Sequence, residues 1–238
     1  RFYQPYADAP AARGVWSTSV ETMRAWVVAA DAAGLAITTH AIGDEANDAV
    51  LDIYAEAVRR NGARDRRFRI EHAQHLSPGA VARMHRQKVI ASVQPYHAID
   101  DGRWAVKRIG EERLTRTYAF RSLLEAGVAT CFGSDWPVAP IDPLTGIDAA
   151  VRRATIDGNN PRGWHPEQRV TVEQALTAYT RTAAYAGFQD DRLGRLRPGY
   201  LADIVVLDRD LLSAAPVQYS GTRVLRTFVD GVERYSAA

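Results

Sequence analysis

The chain has 238 residues, 46% hydrophobic and 24% charged, with a formal net charge of +2. Such a chain is large enough for one sizeable core with or without a small appendage, and its composition is that of a soluble globular protein. Near-neutrality gives no electrostatic case for nucleic acid or an anionic membrane. No apolar run approaches the roughly 20 residues of a membrane span, and a single cysteine, Cys131, excludes an internal disulfide framework. Residues 1–16 read as loop, because Pro5, Asp8, Pro10 and Gly14 break any period. They begin without an initiator Met, like the interior of something longer.

Ser17-Thr18-Ser19 followed by Glu21 resembles a capping box, and Val20, Met23, Trp26, Val27 and Ala30 recur at helical spacing until Gly34. A short strand closes at His40. Ala46, Ala49, Val50, Ile53, Tyr54 and Ala57 form the stripe of a second helix, ended by Asn61-Gly62. The next strand closes at His72. Ser77-Pro78 predicts a helix start, Val89 to Gln94 a strand stopped by Pro95, and residues 111–126 one helix ended by Gly127. The strand that follows is predicted to end at Asp135, in Gly133-Ser134-Asp135-Trp136-Pro137. Four strand–helix units in series predict an α/β fold with a parallel sheet. Beyond them come helix starts near Asp148 and at Thr171, a strand over Leu201–Asp208, and a hairpin of 224–229 and 232–235 turning at Asp230-Gly231.

His40, His72 and Asp135 each close a predicted strand. In α/β folds the carboxyl edge of the sheet is where chemistry sits, and two imidazoles with a carboxylate make a partial ligand set for zinc. A lone histidine at such a place is most often a hydrogen-bonded structural residue; three groups at equivalent places make a site as good a reading as the structural one. The other histidines stay open. His75 is either a partner of a ligand or a helix-start residue. His97 either reaches the pocket or faces solvent, and His165 touches substrate or does nothing. His85 reads as solvated. Alternation turns Glu71 away from the site, and Cys131 reads as a small core residue.

Five motifs in order carry a resemblance: Thr39-His40-Ala41-Ile42-Gly43-Asp44, Ile70-Glu71-His72-Ala73-Gln74, Ser92-Val93-Gln94-Pro95, Phe132-Gly133-Ser134-Asp135-Trp136-Pro137-Val138, and Arg197-Pro198-Gly199 through Asp208. The sequence resembles the amidohydrolase superfamily, family 3, the branch of YtcJ-like and N-substituted formamide deformylase-like proteins. The resemblance implies strands five to eight of a (β/α)8 barrel over residues 1–198 and β-sandwich strands over residues 199–238. It implies His40 and His72 as metal ligands and Asp135 as ligand and proton shuttle. The family's first-strand His-x-His is absent, and the only lysines, Lys88 and Lys107, stand too late for its fourth-strand lysine. The likeness is therefore to a carboxyl-terminal half.

The expected activity is metal-dependent hydrolysis of a non-peptide carbon–nitrogen bond in a small amide or formamide, with zinc as the metal, in the cytoplasm, and without nucleic acid or membrane partners. His97 and Trp136 are candidate substrate contacts. The alternatives are a non-catalytic fragment that assembles with a separate amino-terminal half or with itself, and a related deaminase.

Overall fold

The computed structural model describes residues 1–237. The chain divides into two compact units, residues 1–93 with 100–130 and residues 94–99 with 131–238.

In the first unit, α1 (Val20–Ala32) starts at Ser19, whose hydroxyl accepts the Thr22 N–H. Glu21 takes no part in that cap, so the expected box reduces to a single side-chain cap. Gly34, at φ +80°, follows the last turn as expected. β1 (Thr38–Ala41) and α2 (Asp44–Asn61) come next, then β2 (Arg69–His72), α3 (Ala80–Gln87) and β3 (Ile90–Val93). α3 begins two residues beyond the expected Ser77-Pro78 start. Ser77 spends its hydroxyl on Asp48, and Gly79 at φ +84° turns the chain into the helix.

α4 (Pro95–Asp101) and α5 (Ala105–Ile109) occupy the stretch between Pro95 and Gly110 that the sequence left unassigned. The single helix expected over 111–126 is two, α6 (Glu111–Leu114) and α7 (Phe120–Glu125). The break has a local cause. Thr117 forms a β-bridge with His75, and the Tyr118 N–H donates to the Gln74 carbonyl rather than to a helical acceptor, with Tyr118 at φ +49°.

β1 pairs with β2 and β2 with β3, both parallel, as the alternation of strands and helices implies. The order is β1-β2-β3-β4, where β4 (Thr130–Phe132) enters beside β3 through the Ala91 N–H and the Ala129 carbonyl. Ile70, Ile90, Ala91 and Val93 from the strands and Leu51, Ile53 and Tyr54 from α2 are buried. Burial of such apolar area is the main stabilising term.

Tyr54 is 1% exposed and stacks on Phe68 at 4.3 Å. Its hydroxyl donates to the Arg69 carbonyl at 2.6 Å and lies 2.8 Å from the Thr39 hydroxyl, joining the two strands that carry His40 and His72. Burial pushes its pKa above the usual phenol value. Tyr54→Phe keeps the stack and strips the carbonyl of a donor. We expect a loss of about 1–2 kcal/mol, read in a thermal melt as a fall of roughly 2–4 °C per kcal/mol.

The second unit carries α8 (Pro143–Arg152), α9 (Val172–Tyr179) and α10 (Arg181–Ala186), then β5 (Ile204–Leu207), β6 (Val224–Val229) and β7 (Val232–Ser236). α8 starts five residues ahead of Asp148, because Asp142 caps it and Pro143 holds its first position. At Thr171 the cap is a full box with Gln174. β5, β6 and β7 make an antiparallel sheet in that order. Asp230 at φ +50° and Gly231 at φ +74° make the expected primed turn between β6 and β7. Among the described residues no helix is long and apolar enough to cross a membrane.

Candidate metal centre

His40 is the third residue of β1 and His72 the last of β2. In the parallel register His40 lies across from Glu71 and Ala41 across from His72. The two imidazoles still meet, with ring centroids 4.5 Å apart and planes at 75°. His40 is exposed and His72 is buried. Glu71, the register partner of His40, accepts the Thr38 hydroxyl at 2.6 Å, so alternation turns it from His72 but not from the face that His40 shares with Thr38.

The turn after each histidine is fixed by buried polar groups. Asn47, in the first turns of α2 and fully buried, points its amide nitrogen at the carbonyls of Ala41, Ile42 and Gly43, and at the His75 carbonyl across the strands, at 2.9–3.3 Å. The sequence reading passed over Asn47; a carboxamide four residues into the helix that follows β1 was its one signal. His75 is buried, with Nδ1 2.9 Å from the Thr117 hydroxyl. Burial, helped by Arg113, lowers its pKa to about 3, so it stays neutral. His75 is not at a helix start, since α3 begins at Ala80, and its ring nitrogens contact Gln74 and Thr117.

A cleft of about 910 Å³ runs along β1, lined largely by apolar groups such as Trp16, Met23, Trp26 and Ile37, and reaching His40. β1 is the first strand in the order of this sheet.

In the second unit Asp135 is not the end of a strand. β4 stops at Phe132, and Asp135 lies three residues on, exposed and at φ +61°. Its carbonyl accepts the Val138 N–H and the Ser134 hydroxyl accepts the Trp136 N–H, so a turn carries the carboxylate. His97, on α4, brings Nε2 to 3.8 Å from the Asp135 carboxylate, ion-pair range but too long for a hydrogen bond. Pro95 opens a helix where the sequence reading saw only a strand stop, and that helix is what brings His97 to Asp135. Trp136 is 64% exposed beside it. His165 lies in a loop against Glu167 at 2.9 Å, His85 is exposed, and Cys131 is buried as expected.

The donor chemistry of both units fits a borderline-hard divalent ion: two imidazoles in ring contact in one, an imidazole beside a carboxylate in the other.

Over 235 residues, 98% of this chain and 40% of the relative, the sequence is 43% identical to Protein LONG AFTER FAR-RED 3 of Arabidopsis thaliana. It is 34% identical over 209 residues, 87% of this chain and 38% of the relative, to N-substituted formamide deformylase of Arthrobacter pascens. An uncharacterized metal-dependent hydrolase from Pyrococcus furiosus superposes with a TM-score of 0.77 at 34% identity, covering 89% of this chain and 42% of that one. The chain thus spans about two fifths of the length of these relatives. Residues 2–235 match the family model described as Amidohydrolase family, and the chain belongs to that family.

Proposed function

We propose that the complete protein is a metal-dependent hydrolase of a non-peptide carbon–nitrogen bond in a small amide or formamide. The observation that carries this reading is the contact between the His40 and His72 rings at neighbouring strand ends. His40 and His72 would hold a divalent metal, zinc by donor type, with Asp135 as a further ligand. The metal, when bound, polarises the substrate carbonyl and acidifies the attacking water. Asp135 accepts that water's proton as the carbon–oxygen bond forms and returns it to the nitrogen as the carbon–nitrogen bond breaks. His97 and Trp136, beside Asp135, are the substrate contacts.

The similarity to a formamide deformylase supports the bond type. A related deaminase would use the same ligands and a different pocket. The sheet over residues 204–236 exposes Val205, Val206, Val229, Val232 and Tyr235, as one layer of a β-sandwich over 199–238 would. The apolar cleft along β1 supports a barrel, carried here over 1–198, that further chain completes with its remaining ligands, from an amino-terminal half of the same protein or from an assembly partner.

The test is made on the protein at its full natural length. Wild type should retain zinc through gel filtration and hydrolyse members of a panel of N-substituted formamides and amides. His40→Ala and His72→Ala should each lose the metal by elemental analysis. Variants that keep a full complement of metal would remove those histidines from the site, and turnover of ring amidines alone would favour the deaminase.

A further inference from the structure

We propose that Gln74 is the positioning residue for His72, acting through a buried cluster with Asp101 and Tyr118. The inference rests on the reading of His72 as a metal ligand.

The backbone at this ligand is strained. His72 has φ +76° and the next residue, Ala73, φ +43°. Neither is glycine, and residues in the left-handed region persist only where their surroundings hold them there. What fixes them lies immediately downstream. The Gln74 carbonyl accepts the Tyr118 N–H at 2.8 Å, the His75 N–H donates to the Ile42 carbonyl at 2.9 Å, and the Leu76 N–H donates to the Arg116 carbonyl at 3.0 Å. Three successive residues are thus tied to two separate segments, one of them the turn that follows His40.

The Gln74 side chain is the centre of this arrangement. It is 6% exposed, and its amide nitrogen lies 2.8 Å from the Asp101 carboxylate and 3.0 Å from Nε2 of His75. One amide hydrogen goes to each. Nε2 of His75 is therefore the acceptor and Nδ1 carries the proton, which it donates to the Thr117 hydroxyl; that hydroxyl in turn donates to the Arg113 carbonyl. On the other side Tyr118, 3% exposed, donates its hydroxyl to the same Asp101 oxygen at 2.6 Å. Every donor in the chain has an acceptor, so the orientation of Gln74 is uniquely set. Two residues upstream, the same peptide run sets where the His72 ring stands. None of these groups is a ligand; they act through the backbone that bears one.

The experiment uses the full-length protein and Zn²⁺, with affinity read by competition against a chelator. Gln74→Met keeps volume and removes both donors. Groups that orient a metal ligand typically contribute 10–100-fold in affinity, so zinc should bind about 10–100-fold more weakly, and the His75 amide of the metal-free protein should exchange faster. Tyr118→Phe should shift affinity the same way by about 10-fold, the low end of that range, and it decides the matter if Gln74→Met does not fold. His72→Ala is the reference and should abolish tight binding. If both variants bind zinc within twofold of wild type while His72→Ala does not, the inference fails and the site stands. A lowered melting temperature of the metal-free protein with unchanged affinity marks a merely structural role and overturns it equally. Zinc retained by His72→Ala overturns the reading of the site, and this inference with it.

Discussion

Asp135→Asn in the full-length protein should lower kcat by a factor of about 10² to 10⁴, the range general acid–base groups supply. The substitution is nearly isosteric and keeps an oxygen that can face a metal. What it removes is the capacity to take up a proton and to give it back to a departing nitrogen. The main-chain setting should survive, since the turn is held by the Asp135 carbonyl accepting the Val138 N–H and by the Ser134 hydroxyl, not by the carboxylate. The loss should therefore fall on kcat and kcat/KM together, as for an interaction made in the transition state. Metal content, measured alongside, separates the two roles proposed for this residue. Lost turnover with metal retained isolates the proton transfer, and lost metal makes ligation the dominant role. Full turnover with a normal metal complement would take Asp135 out of the mechanism.

The route to Asp135 explains what the sequence made legible and what it did not. Strand–helix alternation and the glycines that end helices are local signals, and they placed β1, α2, β2 and β3 to within a few residues. His72 does close its strand, and His40 stands one residue before the end of β1. Asp135 was identified by residue type but misplaced on a strand, since Gly133-Ser134 ends β4 early and lets the carboxylate ride on a turn. The pairing of His97 with Asp135 depends on α4, a helix opened by the same Pro95 that reads as a strand stop. The split of the expected helix 111–126 was out of reach for a different reason. The residues between α6 and α7 carry no Gly or Pro to mark a break, and what accompanies it is a bridge to His75, more than 40 residues earlier. Asn47 and Gln74 are invisible for the same cause: their partners are main-chain carbonyls and side chains on other elements. Candidate ligands can be named from residue type along the chain, but what holds them in place comes from long-range contacts.

The largest stability effect should come from Asp31→Ala, well away from the chemistry. Asp31 lies in the last turn of α1 and is fully buried. A carboxylate there faces the negative end of the helix dipole and is out of water, both unfavourable. Its surroundings answer with cations and amide donors. Arg66, only 5% exposed, donates through Nε at 2.8 Å and through a terminal nitrogen at 3.1 Å; Arg64 reaches the same carboxylate at 2.5 Å, and Asn61 donates at 2.8 Å. Burial alone would raise the Asp31 pKa; the hydrogen bonds from Arg66, Asn61 and Arg64 outweigh it and hold the pKa below the usual carboxylate value. Removing the carboxylate leaves the Arg66 guanidinium buried with only the Gly62 carbonyl of this set, at 2.6 Å. Breaking one side of such a pair costs about 3–5 kcal/mol, and chemical denaturation at neutral pH should read a loss of that size. A folded-state pKa below the unfolded value means stability that is present above about pH 4 and lost as pH falls through the folded pKa. The gap between wild type and Asp31→Ala should therefore be full at neutral pH and close progressively under acid, and a gap that stays constant from pH 7 to pH 3 would show that the charge of Asp31 is not what secures α1 to the turn after α2.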